Sequence, residues 1–260
     1  MIFYDVRVFG IPLYDICIII GMYLALYIAF SLSVKKDFSI KLKRLIFIDF
    51  LITIGLGFFG AMFFQATYDY IKTGVFDLFN SGMTFYGGFI FGVISFIIVW
   101  FVGGKILKIE EETKEKFFNM VEISACVIPL AHAFGRLGCL FAGCCYGKQT
   151  ESWFGILTYT QESADLVKVV PIQLFESLFL FSLFFILMNL FRKSKTNIPL
   201  MSLYLMFYGI WRFFIEYARA DDRGLTIIPF LSPSQLTAIF MVIIGILYYF
   251  FIKKHKKLKC

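Results

Sequence analysis

Tyr208, Arg212, Glu216 and Arg219 stand in an otherwise apolar stretch at i, i+4, i+8 and i+11. On an α-helix that spacing puts all four on one face. Inside a membrane such a face turns to the bundle interior or to a polar cavity, because lipid tails cannot solvate it. A guanidinium beside a carboxylate then has two uses. It ties helices together as an ion pair, or it holds an anion such as a phosphate while the carboxylate orients it. Both readings stay open on these residues alone.

A second cluster occupies residues 130–147, LAHAFGRLGCLFAGCCYG, and gathers His132, Arg136, Cys139, Cys144 and Cys145 among glycines. Arg136 directly follows an apolar run. An arginine there is costly without a partner and marks a functional site by default. His132 lies four residues earlier, on the same face if the helix continues, either as a packed polar residue or as a base. Farther on, residues 170–177 read VPIQLFES. Pro171 suits a first helical turn, and Gln173 and Glu176 share a face at i, i+3. Glu176 needs a partner, for which Arg136 and Arg212 are candidates, unless the helix dipole alone favours a carboxylate at that end.

Two further patterns are ambiguous. In SGMTFYGGFIFG, residues 81–92, Gly88 and Gly92 have the small-xxx-small spacing of close helix packing. Gly87 and Gly88, next to Tyr86, also let a lipid headgroup approach the backbone. Cys17 and Cys126 read as small buried hydrophobes. The C-x4-C-C spacing of Cys139, Cys144 and Cys145 is not a zinc spacing, and two histidines in the chain are too few for a site of the usual kind. A disulfide steadying that loop is the plain alternative.

The elements that position these residues are membrane spans. The 260 residues are 60% hydrophobic and 17% charged, with 35 Phe, and the mean hydropathy is +0.81. A soluble domain of this length needs far more polar surface. The expected fold is an all-α integral membrane protein, one domain over 1–260, without internal repeat or linker. Apolar runs of bilayer length fall at 12–34, 45–68, 83–103, 118–134, 171–191, 199–217 and 233–252. The fourth is cut short by Pro129 and the Gly-Arg-Leu-Gly sequence. Residues 135–170 then form a loop or head insertion too long for a simple connector. The N-terminus lacks a signal-peptide pattern, so the first span is expected to remain.

Basic residues sort by side. Lys35 to Arg44, Lys105 to Lys116, Arg192 to Lys195 and the tail from Lys253 hold 17 of the 25 lysines and arginines. That bias predicts a cytoplasmic C-terminus and an outer N-terminus. Arg136, Arg212, Glu216, Arg219, Asp221, Asp222 and Arg223 then fall at the outer face. Glu110, Glu111 and Glu112 read as a solvated helix start on the inner side. The net charge of +7 therefore concerns topology and not nucleic acid.

Taken together, Gly-Arg-x-Gly at 135–138 with its glycine-bearing loop, Pro-x-Gln-Leu-Phe-Glu at 171–176, and Tyr208-Gly-x-x-Arg212-x-x-x-Glu216 resemble the prolipoprotein diacylglyceryl transferase family. The resemblance spans nearly the whole chain. It implies transfer of the diacylglyceryl group of phosphatidylglycerol to the lipobox cysteine thiol of a prolipoprotein signal peptide. The product is a thioether, the leaving group glycerol 1-phosphate, and the setting the bacterial inner membrane among its lipids, with the site toward the outer face. Neither a metal nor an organic cofactor is called for. By the same resemblance Arg136 and Arg212 bind and polarise the phosphate, Glu216 holds Arg212, and Tyr14 and Tyr208 line the headgroup site. Gly138, Gly143 and Gly147 shape the loop above it. The chain departs from the family pattern at Tyr86, where a histidine precedes the Gly-Gly pair in the best-known members, and at Cys139, which replaces an asparagine. His132 is the imidazole that could stand in. Alternatives on the same residues are a paralogue with another lipid or acceptor, a thiol-redox protein, and a lipid-binding membrane protein.

Overall fold

The computed structural model describes residues 4–160, 163–193, 198–220 and 230–258. Its helices are α1 (Leu13–Lys35), α2 (Ile40–Thr73), α3 (Phe85–Ile106), α4 (Glu110–Ala142), α5 (Ile172–Lys193), α6 (Leu200–Ile215) and α7 (Pro233–Leu258). Two small antiparallel hairpins accompany them: β1 (Arg7–Val8) with β2 (Ile11–Pro12), and β3 (Ile156–Thr160) with β4 (Ser163–Val169). Six of the seven helices are long and apolar enough to cross a membrane. α6, at 16 residues, is shorter than the roughly 20 residues a straight crossing needs. This is the helix inventory of a multi-pass membrane protein, with apolar side chains such as Ile94, Ile98, Phe185 and Leu247 pointing outward.

α4 departs from the sequence expectation. It runs through Pro129 and the Gly-Arg-Leu-Gly stretch to Ala142. A proline removes one backbone hydrogen bond but need not end a helix buried among neighbours in a membrane. His132, Arg136 and Cys139 are therefore all helical, and the connection from α4 to α5 begins only after Ala142.

The chain packs as two compact units, 30–120 and 1–29 with 121–260. In the first, α2 and α3 meet through glycine. A Cβ on Gly87 would lie 2.2 Å from the Gly60 carbonyl oxygen, and one on Gly60 would lie 2.5 Å from Phe91. The surface of Gly87 and Gly88 is thus taken up by α2. Gly92, read from spacing as the packing position, has nothing within 4 Å of its Cβ site. Asp49, buried on α2, accepts from Thr53 Oγ1 at 2.9 Å. Glu112 is not merely solvated: its carboxylate accepts from Ser39 N at 2.8 Å and Ser39 Oγ at 2.6 Å. Ser39 in turn caps α2 by accepting from Leu42 N.

In the second unit α5, α6 and α7 pack closely. A Cβ on Gly209 would lie 2.8 Å from the Ala238 carbonyl oxygen, and Phe179 stacks on Trp211 with centroids 4.4 Å apart. Glu122 accepts from Leu200 N at 2.7 Å, tying α4 to the start of α6. The chain after α4 is pinned by backbone. Gly147 bridges to Arg219, Gln149 bridges to Val169, and Lys148 N donates to Ala218 O at 2.9 Å. A Cβ on Gly147 would lie 2.8 Å from that same oxygen, so only glycine fits the bridge.

Candidate active site

α5 supplies the centre of the site. Glu176 is 0% exposed and four side chains from α4 and α6 converge on it. Tyr208 donates to its Oε1 at 2.8 Å, and His132 Nε2 lies 4.0 Å from the same oxygen. Arg136 Nε lies 3.0 Å from its Oε2 and Arg212 Nη1 3.6 Å. The Arg136 contact is a close charge contact and not an aligned hydrogen bond. Burying one carboxylate this deeply is tolerable only because two guanidiniums and a hydroxyl face it.

α6 carries the next link. Arg212 Nη2 lies 2.8 Å from Glu216 Oε2 and donates to Ser234 Oγ at 2.9 Å. Glu216 opens a 3-10 turn that ends α6 (Glu216–Ala218), and its Oε2 lies 3.9 Å from Arg219 Nε. Arg219 enters the backbone bridge to Gly147. A continuous chain thus runs Arg136, Glu176, Arg212, Glu216, Arg219, with Arg212, Glu216 and Arg219 all buried. Three guanidiniums face two carboxylates in this described cluster. Guanidinium forks of this kind are the donors that hold a phosphate.

His132 and Tyr208 stand beside the chain, with Nε2 and the hydroxyl oxygen 3.5 Å apart and their rings edge to face. Gln173 Nε2 donates to the Cys144 carbonyl, which fastens the loop after α4 to α5. Gly138 gives α1 a close approach, since a Cβ there would lie 3.0 Å from the Tyr14 ring and 3.2 Å from its carbonyl oxygen. Tyr86, Gly87 and Gly88 belong to the unit 30–120, where the two glycines pack on α2 as described. Asp221, Asp222 and Arg223 lie outside the described residues.

Two features escaped sequence reasoning. Ser232 and Ser234, at the start of α7, belong to the site. Ser232 Oγ donates to Glu216 Oε1 at 3.0 Å, and Ser234 holds Arg212. The signal was present as Ser-Pro-Ser-Gln. Ser232 N donates to Gln235 Oε1 and Gln235 N donates to Ser232 Oγ, a capping box with proline in the first helical turn.

The second is that the three cysteines meet. Their sulfur atoms all lie within 4.8 Å of one another, and none of the three is in a disulfide. α4 ends in a Schellman motif, with Gly143 at φ 72°, Cys144 N donating to Cys139 O at 3.1 Å and Gly143 N to Leu140 O at 3.2 Å. That closure brings together the residues five apart, and Cys145, at φ 59°, turns its side chain back toward them. The readable cue was a glycine just before the second cysteine at a helix end. Thiol hydrogen bonds from Cys139 and Cys144 hold Cys145 below the ordinary thiol range, and the Arg219 and Arg136 charges add to this.

The chain matches the family model described as prolipoprotein diacylglyceryl transferase over residues 1–251. It is 37% identical over 179 residues to phosphatidylglycerol–prolipoprotein diacylglyceryl transferase 2 of Clostridium perfringens, covering 67% of this chain and 64% of that one. Against the transferase of Clostridium tetani it is 34% identical over 171 residues, 64% and 63% of the two chains. The matched region therefore spans slightly under two thirds of these clostridial relatives' own length. Against the transferase of Finegoldia magna it is 30% identical over 245 residues, 92% of this chain and 91% of that one. By the family match over nearly all its length, this chain belongs to the prolipoprotein diacylglyceryl transferase family.

Proposed function

We propose that this chain transfers the diacylglyceryl group of phosphatidylglycerol to the lipobox cysteine thiol of a prolipoprotein, forming a thioether and releasing glycerol 1-phosphate. The observation that carries this reading is the run of close charge contacts Arg136–Glu176–Arg212–Glu216. A phosphodiester offers anionic oxygens that guanidinium forks hold by charge-assisted hydrogen bonds. Arg136 and Arg212 hold its oxygens and stabilise the charge that grows as the carbon–oxygen bond to phosphorus breaks. Glu176 and Glu216 hold those forks in place and do not themselves react.

The thiol proton needs an acceptor. His132 has the imidazole for this, placed between the Arg136 turn of α4 and Tyr208. Tyr208 and Tyr14 line the headgroup, while Gln173, Gly138, Cys139, Gly143, Gly147 and Arg219 shape the loop and its backing. Tyr86, Gly87 and Gly88 stand in this reading where the family carries its His-Gly-Gly segment.

The architecture proposed with it is one polytopic domain over 1–260 in the inner membrane of a bacterium, with residues 143–170 as an outer head. It has seven spans, α6 crossing with the help of its 3-10 extension, the N-terminus outside and the basic loops inside. Rescue of a cell depleted of its own transferase tests the activity in place. The intact chain restores growth and lipoprotein modification, and the Arg212→Ala variant does not. Failure of the intact chain, inserted at normal levels, contradicts the reading.

A further inference from the structure

The described thiols of Cys139, Cys144 and Cys145 take no part in the transfer as derived, yet they form a built cluster. Three sulfurs within 4.8 Å of one another are close to the spacing a single ion imposes. A zinc–sulfur bond of about 2.3 Å sets tetrahedral thiolates roughly 3.8 Å apart, within reach of small side-chain rotations. A disulfide would use two of the three and leave the third alone. The backbone holds the group in place from both ends, through the Schellman closure at Gly143 and the Gln173 bond to the Cys144 carbonyl. Cys144 is exposed, so an ion and a further ligand can reach the cluster. Three protein ligands with one open position is the pattern of a zinc centre that handles a substrate, whereas purely structural sites are closed by four. The cluster also borders the phosphate-binding chain. Cys139 follows Arg136 by one turn of α4, and Arg136 and Arg219 lie within electrostatic reach of Cys145.

We infer that Cys139, Cys144 and Cys145 bind a divalent thiophilic cation of the zinc class, whose open fourth position takes the acceptor cysteine thiol. The second half rests on the transferase reading. On binding, the acceptor thiol replaces a metal-bound water and gives up its proton, because a coordinated thiol ionises. The sulfur electron pair then forms the bond to the terminal glyceryl carbon. The carbon–oxygen bond to phosphorus breaks with its pair leaving on the phosphate oxygen, and the released proton passes to His132, the acceptor assigned above.

The test uses the full-length protein in detergent, reduced and stripped of metal, titrated with Co2+. The expected result is one equivalent bound with a thiolate-to-cobalt charge-transfer band, displaced by Zn2+. The band is lost in Cys139→Ser and Cys145→Ser and weakened in Cys144→Ser, an exposed position where folding is not at stake. It persists in Cys17→Ser. A lipobox peptide with a single cysteine strengthens the band as a further thiolate joins. Reduced protein that binds no cobalt, or a band that survives in Cys139→Ser, overturns the site. A band indifferent to the peptide, or full-rate transfer by metal-free protein, overturns the acceptor role and leaves the transferase reading standing. Cobalt binding with no transfer in any form would instead remove the transferase reading and leave the metal site.

Discussion

Arg136 Nε lies 3.0 Å from Glu176 Oε2, although the two residues are 40 positions apart and sit on different helices. The contact joins α4 to α5, and through the other side of the same carboxylate joins α5 to α6. Its energetic meaning is asymmetric. A fully buried carboxylate facing two guanidiniums contributes little net stability as an intact unit, but removing one partner leaves the others buried and uncompensated.

Glu176→Gln keeps the volume and removes the charge. The expected loss is about 3–5 kcal/mol, the cost of breaking a buried ion pair. Thermal unfolding in detergent should show a large drop in midpoint. An unchanged midpoint would mean that the arginines relax to solvent and that Glu176 is not their anchor.

Arg212 makes contacts in three directions, to Glu176, Glu216 and Ser234. Lysine cannot reproduce that fork. Arg212→Lys should lower transfer at least a hundredfold. Ser234→Ala removes one hydrogen bond to a charged group, worth about 1.5–3 kcal/mol, and should lower transfer by roughly tenfold or more. Steady-state rates on the same lipid and peptide check the order, and a Ser234→Ala loss larger than that of Arg212→Lys would reverse it.

The glycines of α3 make opposite predictions. Gly87→Ala sets a methyl against the Gly60 carbonyl, where backbone has to move, and should cost about 1–3 kcal/mol. Gly92→Ala meets open space and should be neutral or slightly stabilising. Paired unfolding measurements of the two variants decide this, and equal effects would contradict the packing described.

His132→Ala tests the assigned base. The fold should survive, because His132 is partly exposed and carries no helix cap. Transfer should fall about 10²–10⁴-fold, the usual contribution of a positioned base. Full transfer by His132→Ala would remove histidine from the reaction.

How much of this was readable in the chain follows from what each signal depends on. Hydropathy depends on local composition, so an apolar run marked each described helix, although α4 extends eight residues beyond its run at either end. The i, i+4, i+8 spacing from Tyr208 depends only on helix geometry, and it marked the face that meets Glu176. Pro129 misled because a local helix breaker was weighed without the neighbours that tolerate it. Gly92 misled because small-xxx-small spacing says nothing of which face a partner helix takes. The cysteines were judged by ligand spacing along the chain, whereas a helix end with glycine at φ 72° folds that spacing back on itself. Ser234 was missed because its partner lies 22 residues away, although the capping box beside it was in plain view.

The most direct measurement supplies purified protein with phosphatidylglycerol labelled in its acyl chains and a lipobox peptide bearing one cysteine. The account predicts that label moves to the peptide through a bond stable to thiol exchange, that glycerol 1-phosphate appears in equal amount, and that Arg136→Ala and Arg212→Ala abolish both. A well-folded protein that leaves the peptide unlabelled, or that labels it equally well without Arg212, would contradict it.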